Sequence, residues 1–239
     1  MADIAASETR LAFVARVLGH SFSDPELLLL ACTHASCLGP LANPAQRRAA
    51  SNERLEFLGD AVLGAVVARM LYRQHPEADE GWLTRAKSAL VSRAQLARAC
   101  DRLGLLPHAV LGSQVGDAVP ESVKANLVEA VIGAIFLDGG WDAACLAVER
   151  MLGEALADPG LGALDPRMAL QELSLARAGT LPHYACERSG GSPHAPEYTA
   201  TVTVAGRSAR GQGPSRKKAE AAAAANWLAS YREAPLPGG

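Results

Sequence analysis

The spacing of hydrophobic residues changes once along this chain, near residue 160. Before that point, apolar residues recur every three or four positions, which is the period of helices that bury one face. Glycine and proline interrupt the pattern, and no stretch alternates as a half-buried strand would. The pattern predicts an all-α first domain over residues 1–157. Its clearest segments are Pro25–Cys32, Ser51–Arg73, Trp82–Leu103, Val123–Leu137 and Asp142–Leu156.

The rest of the chain follows a different pattern. Residues 158–164 (DPGLGAL) are typical of a linker. Beyond them, Asp165 is placed to cap a helix whose first residue is Pro166. Alternation and many Thr and Val residues then indicate a strand. The order helix, three strands, helix predicts a small α+β domain (α-β-β-β-α) over residues 165–233. Its predicted elements are Asp165–Ala178, His183–Arg188, Tyr198–Val204, Arg207–Gly211 and Ser215–Tyr231.

Charge is distributed unevenly between the two predicted domains. The 239-residue chain has a formal net charge of -2, but residues 165–233 carry nine Lys/Arg against six Asp/Glu. The remaining residues carry 14 Lys/Arg against 19 Asp/Glu. An acidic first part and a mildly basic second part suggest different electrostatic tasks, although charge alone leaves chance variation open.

Cysteine usage and apolar runs bear on the cellular compartment. The five cysteines are scattered without a CxxC pair, which is typical of reduced thiols and not of a disulfide framework or zinc site. No signal peptide is recognisable at the N-terminus, and no apolar run approaches the ~20 residues that span a bilayer. We therefore expect a cytoplasmic protein without a membrane partner.

Carboxylates interrupt an apolar helix after residue 52. Glu53, Glu56 and Asp60 stand at positions i, i+3 and i+7, so they share one helix face. Like charges on one face repel, and carboxylates in apolar surroundings are unfavourable unless a positive group compensates for them. A divalent cation with oxygen ligands would resolve both problems.

A second apolar helix repeats the arrangement. Asn126 and Glu129 are separated by three residues, and both side chains offer oxygen ligands. If the two helices pack together, four oxygen-bearing side chains meet at one point. The alternative is that the acids cap helices or pair with cations such as Arg54, Arg85 or Lys124. The residues alone leave the two interpretations about equally open.

The strings around these residues resemble a known family. Asn52–Leu63 (NERLEFLGDAVL) is similar to the signature of the ribonuclease III family, and Asn126–Asp138 (NLVEAVIGAIFLD) is similar to its second acidic helix. His34-Ala35-Ser36 and residues 80–92 agree with further family elements in order and spacing. The resemblance, over residues 18–228, implies an all-α, Mg²⁺-dependent endonuclease domain that hydrolyses double-stranded RNA, with Mn²⁺ able to substitute.

The resemblance also implies roles for single residues. Asp60 and Glu129 match catalytic acids, and Glu53 and Glu80 match acids near the cleft or dimer interface. Family members act as homodimers in ribosomal and messenger RNA precursor processing and leave 5′-phosphate and 3′-hydroxyl ends. The implied metal ligands are Glu56, Asp60, Asn126 and Glu129.

One implied ligand departs from the family pattern, which has Asp where this chain has Asn126. Asparagine keeps an oxygen ligand but lacks one unit of charge, an interaction of about 4 kcal/mol at ~4 Å and an effective dielectric of ~20 before desolvation. We expect weaker metal binding and a higher Mg²⁺ requirement, with activity retained. The alternative is a catalytically impaired double-stranded RNA-binding protein of the same fold.

Adjacent cations open the last predicted helix. Ser215-Arg216-Lys217-Lys218 precedes an Ala-rich stretch, and a helix N-terminus favours phosphate, although such a cluster is often only a solvated helix end. The arrangement resembles the double-stranded RNA-binding domain, including its Leu170-Gln171-Glu172 helix and the loop that contains His194. Such domains read the shape of A-form RNA. The implied RNA contacts are Gln171, His194, Ser215, Arg216, Lys217 and Lys218.

Overall fold

A computed structural model describes residues 2–38, 44–116, 118–158, 160–192 and 195–233. The chain divides into two compact units, residues 1–163 and 164–239. The described part of the first unit is helical, with short 3-10 turns that include Ala35–Cys37. Its helices are α1 (Ala2–Leu18), α2 (Pro25–Cys32), α3 (Pro44–Ala49), α4 (Glu53–Gln74), α5 (Glu80–Leu90), α6 (Arg93–Leu103) and α7 (Glu121–Leu156).

Helix α7 forms the centre of the first unit, where it packs against α1, α2, α4, α5 and α6. Its apolar residues, among them Ile132 and Leu152, are fully buried. The helix is long and apolar enough to cross a membrane by length and composition. Packing on many sides explains that composition, because a helix in the middle of a domain is apolar all round. The helix axis breaks at Gly140, whose φ of 74° is left-handed, between the two segments that the sequence predicts.

The predicted segment Trp82–Leu103 is wrong as a single helix. It contains the end of α5 and all of α6, which are separated at Val91 and Ser92. The Ser92 side chain accepts a hydrogen bond from the Gln95 amide at 3.3 Å and caps α6. The apolar period continues through the break because both helices bury residues in one core, so periodicity alone did not reveal it.

The first residues of the predicted linker pack against the first unit. The Arg85 Nε donates to the Gly162 carbonyl at 3.0 Å, and Leu161 packs on the hydrophobic core. The boundary between the two compact units falls after Ala163. Residues 158–163 therefore belong with the helical unit in the part of this segment that the structure describes.

The second unit has the predicted α-β-β-β-α order. Its three strands form an antiparallel sheet in the order β1-β2-β3. Gly211 lets the last helix lie close to the sheet, since a Cβ there would stand 2.1 Å from the Ala223 amide nitrogen. The core includes Leu170, Val202 and Trp227. The elements are α8 (Pro166–Ala178), β1 (His183–Ser192), β2 (Ala195–Val204), β3 (Arg207–Gly213) and α9 (Arg216–Glu233).

Local features of α8 agree with the sequence analysis. Pro166 begins the helix, and the Asp165 carboxylate accepts the Arg167 amide hydrogen at 2.9 Å. β1 and β2 extend further toward each other than predicted, to Ser192 and from Ala195. The fold class, an all-α domain followed by a small α+β domain, is confirmed.

Candidate active site and RNA-binding face

Helices α4 and α7 touch at their backbones where two glycines cross. A Cβ at Gly59 would stand 1.7 Å from the Glu129 carbonyl oxygen, and one at Gly133 would stand 2.3 Å from the Leu55 carbonyl oxygen. Any side chain at either position would therefore force the helices apart. Glu56 belongs to the same stretch of α4, so the crossing places it beside the Glu129 turn of α7.

The carboxylates on these two helices influence one another. Burial raises the pKa of Glu129 to about 7, and the nearby charges of Asp60 and Glu56 act in the same direction, while Arg93 opposes them. Burial also raises the pKa of Glu56, and Glu53 and Asp60 add to this effect. The fold thus holds several negative groups close together, and Arg93 is the cation among the described residues that opposes their effect on the pKa of Glu56 and Glu129.

Two neighbours moderate the charge on Glu56. The Arg93 guanidinium lowers the pKa of Glu56, and so does a hydrogen bond from the Asn126 side chain. Asn126, Glu53 and Glu56 line a cavity of about 320 Å³ together with His34, Ala35 and Asn52. The cavity gives a small molecule or an RNA backbone atom access to the edge of the carboxylate cluster.

The chemistry of these donors suits a hard divalent cation. Carboxylate oxygens and an amide oxygen are the ligands that Mg²⁺ and Mn²⁺ prefer, and raised carboxylate pKa values are expected where a cation would relieve the repulsion. In the described part of the chain, no three His, Cys, Asp or Glu side chains are already spaced to hold a metal ion. The Asn126 side chain lies close enough to Glu56 to lower its pKa, so a cation bound by both would take the place of that interaction.

Two further predicted acids lie in different surroundings. Glu53 is exposed on the first turn of α4 and accepts a hydrogen bond from Ser51 Oγ at 3.2 Å. Glu80 is exposed at the start of α5 and accepts one from Thr84 Oγ1 at 2.9 Å. Unlike Glu53, it is not among the charges that shift the pKa of Glu56. The fold therefore groups Glu53 with the cluster and does not group Glu80 with it.

Two of the three cations weighed as alternative partners of the acids, Lys124 and Arg85, bind elsewhere. Lys124 pairs with Asp101 at 2.8 Å, and Arg85 donates to a backbone carbonyl. The cation that acts on the cluster is Arg93, which sequence reasoning missed. Arg93 is the first residue of α6, and only the packing of α6 against α7 brings it near Glu129. Its one sequence signal is its position directly after a capping serine.

The start of α9 presents an exposed basic surface. Arg216, Lys217 and Lys218 are all exposed, and Ser215 Oγ accepts the Lys218 amide hydrogen at 3.3 Å. Burial raises the pKa of Asp165, but hydrogen bonds with Arg167 outweigh this effect and lower it. The charge of Lys217 lowers this pKa as well, so Lys217 lies close to the start of α8. Helix N-terminus and cations together form a site suited to phosphate groups.

Gln171 lies on α8, next to this basic surface. It is exposed and lines a cavity of about 390 Å³ with Tyr184 and Glu220. The Arg167 Nη1 donates to Glu220 Oε2 at 3.2 Å, which joins α8 to α9. The structure thus brings Gln171 and the residues 215–218 onto adjacent elements of one domain. The remaining predicted contact, His194, falls outside the residues that the structure describes.

The first domain is helical and carries carboxylates where two helices cross. The second is an α-β-β-β-α module whose last helix begins with cations. Together they define a nuclease domain followed by an RNA-binding domain. The family model described as "Ribonuclease-III-like" matches residues 24–156, and the "Double-stranded RNA binding motif" matches residues 166–231. The chain belongs to the ribonuclease III family. Family membership and the second domain identify it as an endoribonuclease of double-stranded RNA.

Individual relatives agree with this assignment. The Ribonuclease 3 of Rhodopseudomonas palustris is 40% identical over 95% of this chain and 84% of its own length. The Ribonuclease 3 of Leifsonia xyli is 42% identical over 86% of this chain and 87% of its own length. The crystal structure of the nuclease domain of ribonuclease III from Campylobacter jejuni superposes with a TM-score of 0.54 at 30% identity. It covers 62% of this chain and 97% of that domain.

Proposed function

We propose that this chain is a homodimeric, Mg²⁺-dependent endoribonuclease in which Glu56, Asp60, Asn126 and Glu129 hold the cation. The observation that carries this proposal is the backbone contact of α4 and α7 at Gly59, which supports a shared site because the Glu56 and Glu129 turns of the two helices meet there. Mn²⁺ is expected to substitute, because it accepts the same oxygen ligands.

The side chains of this site have distinct tasks in the proposal. When bound, the cation would supply Lewis-acid activation of the scissile phosphate and of a water molecule. Asp60 and Glu129 are proposed as the catalytic acids. Burial and the charges of Asp60 and Glu56 raise the pKa of Glu129 to about 7 in the metal-free fold, so a cation bound there would favour its ionised form. Asn126 contributes a neutral oxygen beside Glu56.

A surface of the first unit supports self-association. Phe57 is 81% exposed and Leu137 is 54% exposed, which is unusual for such large apolar side chains. Both line an apolar hollow of about 610 Å³ on α4 and its neighbours, together with Leu55 and Leu58. A two-fold dimer can seat one protomer's projecting ring in its partner's hollow, because the same patch serves both subunits. A second structure of the Campylobacter jejuni domain is described as having a region involved in dimer formation.

The products, the natural substrates and the compartment belong to the proposal as well. We expect 5′-phosphate and 3′-hydroxyl ends and precursors of ribosomal and messenger RNA as substrates, on the strength of the family resemblance. We also propose a cytoplasmic location. The five cysteines are all free thiols, as a reducing compartment favours.

The proposal is tested with a long RNA duplex incubated with Mg²⁺ or with EDTA. The parental chain should cut the duplex only with the cation, and Glu129→Ala should cut at least about a hundredfold more slowly while binding the duplex in EDTA with unchanged affinity. Glu149→Ala is the matched control, since Glu149 is an exposed acid on the same helix. Equal cutting by Glu129→Ala would refute the site.

The second candidate function is binding of double-stranded RNA without cleavage. Asn126 is the observation that favours it, because the site has one charge fewer than the family pattern implies. A duplex that is bound but remains intact with both Mg²⁺ and Mn²⁺ would establish this alternative. Recovery of cutting by Asn126→Asp would then attribute the loss to that residue.

A further inference from the structure

His34 belongs to a sequence motif that the proposed function leaves without a role. It precedes the 3-10 turn Ala35–Cys37, and it lines the same cavity as Glu53, Glu56 and Asn126. Among the described residues that line this cavity, none is Lys or Arg. His34 is therefore the hydrogen-bonding ring that borders the proposed cation site.

The position of His34 is fixed from several directions. Its amide donates to the Val110 carbonyl at 3.0 Å, and the preceding Thr33 carbonyl accepts the Asn52 amide hydrogen at 2.8 Å. These bonds tie the residue to the start of α4 on one side and to the segment before α7 on the other. Such a residue can present a side chain to a ligand with little loss of entropy.

The hydrogen bonds of Ser36 fix the tautomer of the ring. The Ser36 amide donates to His34 Nδ1 at 3.1 Å, and Ser36 Oγ lies 2.8 Å from the same nitrogen. Ser36 is itself held by the Gly112 amide, which donates to Oγ at 2.9 Å, and by Gln114, which donates to its carbonyl at 2.7 Å. Because Nδ1 accepts, the neutral ring carries its hydrogen on Nε2.

The Nε2–H group remains available to a ligand. Within the described ranges it has no hydrogen-bond partner, and the ring is only partly buried. A neutral donor at this place differs from a cation, because it does not form an ion pair with Glu56. It is suited to an acceptor oxygen that approaches along the cavity, and an RNA backbone offers phosphate oxygens and 2′-hydroxyls.

We propose that His34 contacts the substrate and donates its Nε2–H to a backbone oxygen of the RNA strand that is cut. The contact would hold the scissile step against Glu56 and Asn126. This inference rests on the proposed function, since it needs an RNA strand in the cavity. The acceptor is a non-bridging phosphate oxygen or a 2′-hydroxyl, and the two sources can be separated by experiment.

The test compares two substitutions, each of which reproduces the hydrogen bonding of one of the two ring nitrogens. His34→Asn retains an oxygen near Nδ1 that can accept the Ser36 amide and cap the turn, but it lacks a donor at the Nε2 position. His34→Gln extends an amide nitrogen toward the Nε2 position and gives up the interaction at Nδ1. A role limited to the turn predicts that Asn is the better replacement. A substrate contact predicts that Gln is better.

Single-turnover cleavage of an RNA duplex with saturating enzyme is the measurement, beside the melting temperature and the duplex affinity in EDTA. We expect His34→Asn to melt like the parental chain and to cut on the order of tenfold more slowly, the effect of one lost hydrogen bond. His34→Gln should cut within about threefold of the parental rate even if its melting temperature falls. Parental cutting by His34→Asn, or equal losses in both variants, would overturn the proposal.

A duplex with a single 2′-deoxy substitution at the cleaved step identifies the acceptor. If the acceptor is the 2′-hydroxyl, the parental chain cuts this duplex on the order of tenfold more slowly and His34→Asn shows no further loss. If it is a phosphate oxygen, the parental chain cuts both duplexes equally and His34→Asn is slow on both. A parental chain that cuts neither duplex with Mg²⁺ or Mn²⁺ would overturn the proposed function itself, and with it this inference.

Discussion

The two charged regions of this molecule are built in opposite ways. Glu56 and Glu129 of the first unit are partly buried at a crossing where two helix backbones touch, and the pKa of Glu129 rises to about 7 as a result. The cations of the second unit, such as Lys217, stand exposed at the start of a helix. Exposed charges are screened by solvent and affect stability little.

This difference determines how each region responds to mutation. The acidic cluster is unfavourable in the metal-free fold, so removing one of its charges should abolish function and stabilise the protein at the same time. The exposed cations of the basic surface do not destabilise the fold in this way. Substitutions among them should therefore change RNA affinity and leave stability unchanged. Stability and function are coupled in the first region and independent in the second.

The largest effect is expected from adding a side chain where α4 and α7 cross. Gly59→Ala places a methyl group against the Glu129 carbonyl, at a position that the backbone alone occupies. Because backbone cannot move aside as a side chain can, we expect the first unit to lose at least about 3 kcal/mol of unfolding free energy and all cleavage. Circular dichroism during denaturant titration, combined with the cleavage assay, measures both.

Gly153→Ala is the matched control for this substitution. Gly153 also lies in a helix, α7, but a Cβ there meets no atom within 4 Å. Alanine should therefore leave the unfolding free energy unchanged or raise it by up to about 1 kcal/mol through helix propensity. Similar losses in both variants would show that the crossing is not a close contact.

A smaller effect is expected from pH acting on Glu129. Its folded pKa of about 7 lies above the ordinary glutamate value of 4.5, so the folded chain holds an extra proton between these two pH values. This group's contribution to stability is therefore greatest below about pH 4.5 and falls as pH rises toward 7. Glu129→Gln removes the contribution, so in EDTA its melting temperature should exceed the parental one increasingly between pH 5 and 7.5.

Thermal melting of the two chains across this pH interval provides the measurement. Glu149→Gln, which alters an exposed acid of the same helix, should follow the parental curve. A constant difference between Glu129→Gln and the parental chain at all pH values would contradict the raised pKa. Mg²⁺ should narrow the difference, because the cation compensates for the ionised carboxylate.

The smallest effect is expected in the basic surface. Lys217→Ala should weaken duplex binding and reduce the slope of log affinity against log salt by about one, while the melting temperature stays the same. Arg210→Ala is the matched control. Arg210 is exposed on β3, and its neighbour Gly211 faces α9. Because side chains alternate along a strand, Arg210 lies on the face away from α9. An unchanged slope in Lys217→Ala would remove this residue from the contacts.

The sequence predicted those parts of the fold that depend on local pattern. The carboxylate spacing on one helix face, the Asp165 cap and the alternation in β2 each need only a few neighbouring residues. The break between α5 and α6 escaped prediction because the apolar period runs through it. Local pattern therefore gave the elements of the site but not their arrangement.

The missing parts depend on contacts between distant residues. A glycine within a helix indicates only lower helix propensity, so nothing in the sequence around Gly59 shows that Gly133 lies opposite. Arg93 reaches the acidic cluster only because α6 packs on α7. His34 acquires its fixed tautomer through Ser36, which is held by Gly112 across 76 residues of sequence. Tertiary packing had to supply each of these relations.

If carboxylates from α4 and α7 form a single divalent cation site, Mn²⁺ should bind there in the absence of RNA, and calorimetry measures that binding. The parental chain should bind Mn²⁺ saturably without RNA, and both Glu56→Gln and Glu129→Gln should weaken that binding by about 10-fold or more. Glu149→Gln should bind as the parental chain does. Parental Mn²⁺ affinity in either site variant would show that the two helices do not share a cation.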